Sequence, residues 1–346
     1  MTIHIGLIGG GNITGTHAQA ALAIPGTEIV AFYGTNPAKL EQLRGRFGGC
    51  LYLDFKAFLS HRPMDMVIIG SPSGLHAEQG QAAAQRGLHV LTEKPIDIST
   101  QRADALIAAC ARAGVKLGVI FQDRLKPDVC VLKQLIAEGK LGKLLLADAR
   151  VKWYRPPDYY SGSRWRGTWS LDGGGALINQ GVHTLDLLLW LLGDVSSLEA
   201  RVATVLHSIQ AEDTAIALLE FSCGAMGVFE ATTAAYPGYP RRVEITGAEG
   251  TAILDGDHLV TNGLRDPRPD LITTQAAEKS ANASSHLLND IQGHRRVIED
   301  FIEAVRNDRS PACDGHEGRR SLELIERIYQ ASGKHASGKH ASGKER

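Results

Sequence analysis

The sequence is poor in the features that mark secreted, membrane-spanning or nucleic-acid-binding proteins. Its five cysteines are an odd number and are far apart, which excludes a disulfide framework and the spacings of metal or redox pairs. This scarcity favours a reducing compartment. The 37 basic and 38 acidic residues leave a net charge of −1, which provides no field for nucleic acid or an anionic membrane. We therefore expect a cytoplasmic protein with neither kind of partner.

The sequence also lacks targeting and spanning segments. The first residues, Thr2–Ile8, have the pattern of a strand that enters a glycine loop, rather than a basic region followed by an apolar one. The most apolar stretch, Val182–Leu192, is too short to cross a bilayer. A chain of 346 residues with 43% hydrophobic and 22% charged residues is typical of a globular protein of about two domains.

A glycine-rich turn, Gly9–Gly15, directly follows the apolar run Ile3–Ile8. Strand, glycine turn and helix in this order are the context in which a dinucleotide-binding fingerprint has meaning. Gly9 would form the tight turn, and Gly11 would let a pyrophosphate approach the backbone. Thr14 stands where the fingerprint has Gly or Ala, so the match is imperfect, and an ordinary βα turn is the alternative.

Apolar strands and helices alternate up to residue 121. We predict strands at 3–8, 28–33, 50–53, 65–69, 88–92 and 115–121. We predict helices at 16–24, 37–47, 75–85 and 99–113. This alternation indicates the α/β class, with a doubly wound parallel sheet whose ligand lies beyond the carboxyl ends of the strands.

The pattern changes after residue 124. A helix at 127–138 precedes strands predicted at 143–153, 197–206, 214–221, 225–233, 241–246 and 251–254. Successive strands separated by Gly and Pro indicate an α+β domain with a large, mostly antiparallel open sheet. Residues 262–285 are expected to form a loop, and 294–306 and 318–329 to form helices. We thus predict domains at 1–122 and 123–330, and a disordered low-complexity tail at 331–346.

The stretch Asp172–Asp186 combines three consecutive glycines with a polar stripe on an apolar helix. Glycines allow a very close approach of the backbone to another group. Asn179, His183 and Asp186 are spaced by four and three residues, so on an α-helix they share one face. Buried polar groups need partners or a cleft. His183 taken alone would more often be a hydrogen-bonded core histidine.

Three motifs occur together in a characteristic order. They are the glycine turn, Glu93-Lys94-Pro95 after a strand, and the glycine run followed by Asn179, His183 and Asp186. From residue 1 to about 330 the chain resembles the glucose–fructose oxidoreductase/inositol dehydrogenase (Gfo/Idh/MocA) family. The resemblance implies an N-terminal Rossmann domain, NAD(P)-dependent redox chemistry on sugars or polyols, and a C-terminal sheet that forms dimers or tetramers.

The resemblance also implies that Lys94 and His183 act on the substrate hydroxyl. Oxidation of a secondary alcohol needs a hydride acceptor and a base. His183 titrates near neutrality and can take the proton, while Lys94 can stabilise alkoxide character on the oxygen. Asn179 stands where the family often has Asp, and it can orient the imidazole without lending it charge. Lys94, His183 and Asn179 are therefore the candidate catalytic residues.

The cofactor is expected to be NAD(P), with NADP(H) slightly favoured. The second strand ends at Tyr33 and is followed by Gly34, Thr35 and Asn36, without the acid that would hold the ribose 2′-hydroxyl of NAD. Lys39 could pair with a 2′-phosphate. The candidate cofactor-binding residues are Gly9, Gly11, Asn12, Ile13, Gly34, Thr35, Asn36, Lys39, Ser71, Pro72, His76, Glu93, Lys94 and Gln122.

All four tryptophans lie between residues 153 and 190, near several tyrosines and arginines. Flat apolar rings suit sugars, and arginine can hold a carboxylate or phosphate, although core packing or subunit contact explains any single residue equally well. The candidate substrate-binding residues are Lys94, Arg124, Tyr154, Trp165, Arg166, Asn179 and His183. No metal site is predicted. Alternative functions are an NAD-dependent glycoside hydrolase and a non-catalytic sugar or dinucleotide sensor.

Overall fold

The computed structural model describes residues 2–266 and 290–334. They form two compact units. The first unit contains the described residues up to 122 and those from 290 to 322. The second contains residues 123–266 and 323–334.

The first unit is a Rossmann fold. Its strands are β1 Ile3–Ile8, β2 Thr27–Tyr33, β3 Cys50–Tyr52, β4 Met66–Ile69, β5 His89–Glu93 and β6 Leu117–Ile120. Its helices are α1 Asn12–Leu22, α2 Pro37–Phe47, α3 Phe55–Leu59, α4 His76–Ala84, α5 Thr100–Ala113 and α9 Ile291–Arg306. Within residues 2–122 the six strands are parallel, in the order β3-β2-β1-β4-β5-β6. The predicted doubly wound parallel sheet is confirmed.

Local sequence signals explain where the helices of this unit begin and end. The Asn36 side chain accepts a hydrogen bond from the Lys39 N–H, and Pro37 occupies the first helical position of α2. The Ser99 side chain accepts from the Arg102 N–H at the start of α5, and Gly114 ends that helix in a left-handed conformation. These capping residues are why both boundaries could be predicted closely.

The second unit is α+β. Its strands are β7 Leu144–Lys152, β8 Val195–Ala203, β9 Thr214–Phe221, β10 Met226–Thr232, β11 Arg242–Gly247, β12 Gly250–Asp255 and β13 His258–Leu264. Its helices include α6 Pro127–Ala137, α7 Pro157–Ser161 and α8 Val182–Leu192. Over the part of this unit that the structure describes, the sheet has seven strands in the order β13-β12-β11-β7-β10-β9-β8, and β7 and β10 are its parallel pair. The predicted mostly antiparallel sheet is confirmed.

Three predictions need correction. Helix α1 begins at Asn12 rather than Thr16, because its first turn is built from the glycine loop itself. Residues 262–264 continue β13, where a loop was expected, and residues 267–285 of that predicted loop lie outside the described residues. Helix α9 belongs to the first unit, although it was assigned to the second domain.

The last helix, α10, spans Gly315–Ala331. Residue 331 of the predicted disordered tail is therefore helical, and residues 335–346 of that tail lie outside the described residues. All five cysteines lie within the described ranges, and no disulfide joins any two of them. In those same ranges, every helix is too short or too polar to cross a membrane.

Candidate active site and cofactor loop

The glycine turn after β1 has the geometry that close approach of a dinucleotide requires. Gly9 has φ of +129°, and a Cβ there would lie 2.7 Å from the Gly70 carbonyl oxygen, so only glycine fits. Gly11 precedes α1, and a Cβ there would meet no described atom within 4 Å. The N-terminus of α1 has no side-chain cap. Its N–H groups are therefore positioned to bind a phosphate in the open space beside Gly11.

Two buried polar atoms of the first unit are candidates for contact with the same ligand. Within the described residues, neither Thr14 Oγ1 nor Gln122 Oε1 has a hydrogen-bond partner, although both side chains are buried. Buried polar groups are normally satisfied by a partner. A nicotinamide dinucleotide carries hydroxyl and amide groups that can supply one. The residues present thus fit the cofactor.

The predicted residues after β2 lie next to the glycine turn. A Cβ on Gly34 would lie 3.6 Å from the Gly10 nitrogen, and a Cβ on Gly10 would lie 3.8 Å from the Cβ of Lys39. The Lys39 side chain is exposed. The aliphatic part of the Lys39 side chain therefore begins beside the glycine turn. The Asn36 side chain caps the N-terminus of α2.

The loop after β4 is held by hydrogen bonds of its own. Ser71 Oγ donates to Gln79 Oε1 at 2.6 Å. The buried ring of His76 lies with Nδ1 2.8 Å from the Pro95 carbonyl and Nε2 2.9 Å from the Ser71 carbonyl. Both ring nitrogens of His76 therefore face backbone carbonyls. This placement gives His76 a role in joining two loops, and its contact with a cofactor stays a prediction.

Glu93 is clamped between two histidines within the first unit. Its Oε1 lies 2.9 Å from His17 Nε2 and 3.5 Å from His294 Nε2, and its Oε2 accepts from the Lys94 N–H at 3.1 Å. Burial alone would raise the pKa of Glu93, but the two histidines lower it well below its ordinary value. Burial lowers the pKa of His17, whereas Glu93 overcomes the effect of burial and raises the pKa of His294. The carboxylate predicted to contact cofactor is thus an internal anion that fixes the backbone of Lys94.

The same three side chains have the identities of metal ligands, with ligand atoms within 4.8 Å of one another. A metal would have to displace the contacts that both imidazoles make with one carboxylate oxygen. The arrangement is already a neutralised ion pair with a hydrogen-bonded second histidine. We therefore describe it as a charge cluster that supports the Lys94 loop.

In the second unit, the glycine run packs against backbone and tyrosine. A Cβ on Gly175 would lie 1.8 Å from the Glu212 carbonyl oxygen, and one on Gly174 would lie 2.1 Å from the Tyr329 hydroxyl. The predicted close approach is therefore to the protein's own chain. Residues Ala176–Gly181 then form a π-helical turn, and α8 begins at Val182.

The Glu212 side chain supports the start of this π-helical turn. Its carboxyl group accepts from the N–H groups of Gly175 and Leu177 and from the Tyr329 hydroxyl. Burial raises the pKa of Glu212 to about 7, against the lowering effect of these hydrogen bonds. Because the pKa in the folded protein exceeds that of an exposed glutamate, this group favours folding most below pH 4.5 and loses that contribution as the pH rises towards 7.

His183 is the second residue of α8 and is 3% exposed. Its Nδ1 lies 3.8 Å from Asp123 Oδ2. Asn179 lies in the π-helical turn, so the α-helical spacing that linked it to His183 does not apply there. Asn179 Nδ2 donates to Asp172 at 2.7 Å, and its Oδ1 accepts from Gln180 at 3.2 Å. Orientation of His183 by Asn179 therefore stays a prediction.

Arg124 and Asp186 form a buried bidentate ion pair. Arg124 Nε and Nη2 each donate to a carboxylate oxygen of Asp186 at 2.7 Å. Both side chains are at most 3% exposed, and the guanidinium also lies 5.9 Å from the centre of the Trp190 ring. Arg124, predicted to bind substrate, thus has an internal carboxylate partner, and this is also how the polar stripe at Asp186 is satisfied.

Two of the predicted substrate residues, Tyr154 and Arg166, line one cavity of about 500 Å³ in the second unit. Arg166 lies over the rings of Tyr159 and Trp165, at 4.1 and 5.5 Å from their centres. His207 lines the same cavity. The cavity combines a cation with aromatic faces, which are the groups that an anionic sugar derivative requires.

The sequence analysis missed several residues of these clusters, among them His17, Asp123, Glu212, Arg241, His294 and Tyr329. Arg241 contacts the Asp123 carboxylate, although the two are 118 residues apart in the chain. Such pairs arise only from tertiary packing. The one usable signal was that Asp123 directly follows Gln122 at the carboxyl end of β6, where ligands of parallel sheets gather.

Comparisons with known proteins agree with this architecture. Residues 3–121 match the family model described as "Oxidoreductase family, NAD-binding Rossmann fold", and residues 130–253 match the GFO/IDH/MocA C-terminal domain. D-apiose dehydrogenase from Paraburkholderia graminis is 30% identical over 93% of this chain and 86% of its own length.

Two solved structures are similar over most of their length. The WlbA dehydrogenase from Bordetella pertussis, in complex with NADH and UDP-GlcNAcA, has a TM-score of 0.87 and 32% identity, covering 96% of this chain and 95% of its own. The WlbA dehydrogenase from Chromobacterium violaceum, with the same two ligands, has a TM-score of 0.85 and 30% identity, covering 96% and 94%. The chain belongs to the Gfo/Idh/MocA family of NAD-dependent oxidoreductases.

Proposed function

We propose that this protein is an NAD(P)-dependent dehydrogenase that oxidises a secondary hydroxyl group of a sugar derivative, with Lys94 and His183 as proton-transfer groups. The observation that carries the proposal is the buried imidazole of His183 beside a carboxylate, on the helix that follows the glycine run. A bound nicotinamide would supply the acceptor for the hydride that leaves the carbinol carbon. His183 takes the hydroxyl proton, and Lys94 donates a hydrogen bond to the same oxygen.

The backbone of Lys94 is held firmly for this role. Its N–H donates to Glu93, whose carboxylate is itself clamped by His17 and His294. A residue held by such a cluster loses little conformational entropy when substrate binds. This support is independent of the family resemblance.

We further propose an acidic, nucleotide-linked sugar as the substrate. Both similar WlbA structures hold UDP-GlcNAcA. In this chain, Arg166 provides a cation beside Tyr154 in the cavity of the second unit. A free sugar is the second candidate, because D-apiose dehydrogenase is 30% identical.

A substrate panel tests the function. Purified protein with NAD⁺ is mixed with UDP-GlcNAcA, D-apiose, myo-inositol or free uronic acids, and reduction is followed at the nicotinamide absorbance. Reduction with UDP-GlcNAcA and little or none with the others supports the proposal. Glycoside cleavage without net reduction would favour the hydrolase instead, and ligand binding without turnover would favour a sensor.

Use of NADP(H) at least as well as NAD(H) is also part of the proposal. The first turn of α2 carries no acid, and Lys39 begins beside the glycine turn. We expect Lys39→Ala to weaken NADPH binding by roughly tenfold and NADH binding by much less, because a charge-assisted contact to the 2′-phosphate is lost. Cofactor affinities are measured by fluorescence titration.

The matched control is Lys56→Ala, which removes an exposed lysine from α3 of the same unit. It should leave both affinities unchanged. An equal loss of NADH and NADPH binding in the Lys39 variant would show that Lys39 does not select the 2′-phosphate.

Association through the sheet of the second unit is proposed from its exposed apolar side chains. Leu146, Ile216, Leu218 and Met226 are 49–62% exposed, and they lie at alternate positions on the neighbouring strands β7, β9 and β10. Side chains at alternate positions share one face, and a contiguous apolar patch marks an interface. A homodimer or homotetramer in the cytoplasm follows as the expected form.

Light scattering tests this association. The native protein should have the mass of two or four chains, and Leu218→Asp should shift it towards one chain, because a charge would be buried in the interface. Leu53→Asp is the control, since Leu53 is 58% exposed in the first unit. A native protein with the mass of one chain would contradict the prediction.

A further inference from the structure

Asp123 is a buried carboxylate in direct range of the proposed base. Its Oδ2 lies 3.8 Å from His183 Nδ1, and the two side chains are 1% and 4% exposed. A separation of 3.8 Å is too long for a hydrogen bond but short for an interaction between charges in a buried site. A change in the charge of Asp123 should therefore change the pH at which the His183 imidazole titrates.

Two cations hold Asp123. Arg241 Nη1 contacts its Oδ2, and Lys126 Nζ lies 2.6 Å from its Oδ1. Asp257 completes the group from the outside, at 2.7 Å from Arg241 and 2.8 Å from Lys126. Burial alone would raise the pKa of Asp123, but Arg241, Lys126 and His183 lower it well below its ordinary value. Asp123 is thus anionic at neutral pH.

The charges of this group balance when His183 is neutral. Two carboxylates, Asp123 and Asp257, oppose two cations, Arg241 and Lys126. Arg124 and Asp186 form a separate buried ion pair, joined by two hydrogen bonds. Without the charge of Asp123, the group would contain two cations and one half-exposed acid, Asp257, and its net charge would be positive.

Asn179 cannot provide the missing charge, because its amide is neutral and bonded to Asp172 and Gln180. We propose that Asp123 is the positioning residue that stabilises the protonated form of His183 after it has taken the substrate proton. With Nδ1 on the side of Asp123, Nε2 is the atom that exchanges the proton with substrate. This inference rests on the proposed function of His183.

Two substitutions with opposite effects test the inference. Asp123→Asn keeps the size of the side chain and removes its charge, so it disfavours the imidazolium. Lys126→Met removes a cation from the same group, so it favours the imidazolium. The midpoint of His183 titration is followed by NMR in the intact protein, with the His183 signal assigned from a His183→Gln spectrum.

We expect the midpoint to fall by about one pH unit in Asp123→Asn and to rise by a smaller amount in Lys126→Met, since opposite charges within ~4–6 Å shift titrations by at least this much. The acidic limb of kcat/KM with the active sugar should move in the same directions. Asp257→Asn is the matched control. This substitution removes a carboxylate that contacts the same two cations but is 49% exposed. Because solvent screens its charge, the acidic limb of kcat/KM should not shift.

If Asp123 had only a structural role, its substitution would lower stability or kcat at every pH but would not move the midpoint of His183 titration. An unmoved midpoint in Lys126→Met overturns the inference even if Asp123→Asn does not fold. If the midpoint is unmoved while His183→Ala loses turnover, the proposed function stands and the role of Asp123 is wrong. Normal turnover of His183→Ala overturns the proposed function itself.

Discussion

Replacement of Gly175 with alanine is expected to destabilise the protein by about 3–5 kcal/mol, the range of the most damaging single substitutions. The added Cβ would lie 1.8 Å from the Glu212 carbonyl oxygen and 2.9 Å from its carbonyl carbon. That oxygen already accepts from the Ala176 N–H, so it cannot withdraw without losing a buried hydrogen bond. The measurement is chemical unfolding followed by circular dichroism.

A graded set of glycine substitutions provides the control. Gly174→Ala would place its Cβ 2.1 Å from the Tyr329 hydroxyl, which is the end of a side chain and can move, so its loss should be smaller. Gly45→Ala lies within α2 and meets no described atom within 4 Å, so it should be neutral or stabilising. If Gly175→Ala unfolded at the same denaturant concentration as the native protein, the close packing described for Glu212 would be contradicted.

The fold was predictable because its signals are local. Asn36 and Pro37 mark the beginning of α2, and the alternating apolar runs mark the strands. Helix α9 shows the limit of such signals. Its own pattern predicted a helix, but its place in the first unit depends on contacts such as that between Phe301 and Gly118. These are set by tertiary packing and leave no mark on the local sequence.

The site was predictable only at its motif residues. The order of the motifs indicated Lys94 and His183, but the partners of polar residues come from distant parts of the chain. Arg124 was expected to face substrate, and the sequence did not indicate its pairing with Asp186, 62 residues away. Glu93 was expected to contact cofactor, and the sequence did not indicate that it also binds two histidines. A buried charge must find a partner, and the sequence does not specify which one.

Replacement of His183 with alanine, or of Lys94 with methionine, is expected to lower kcat by roughly 10² or more, the usual contribution of acid–base catalysis. His183→Ala removes the group that takes the proton, and Lys94→Met removes the hydrogen bond to the oxygen while keeping the length of the side chain. Turnover is measured with the sugar that the panel identifies, and NADH affinity is measured in parallel.

The measurements of turnover and of NADH affinity together separate chemistry from binding. If His183 acts only on the substrate proton, NADH affinity should be nearly unchanged while kcat falls, since the interaction lost belongs to the transition state. His316→Ala and Lys56→Met are the controls, because both remove exposed side chains of the same type. The loss in His183→Ala should also remove the acidic limb of the pH profile. Near-normal turnover with an intact limb would leave His183 as a buried core histidine whose charge is balanced by Asp123 for stability alone.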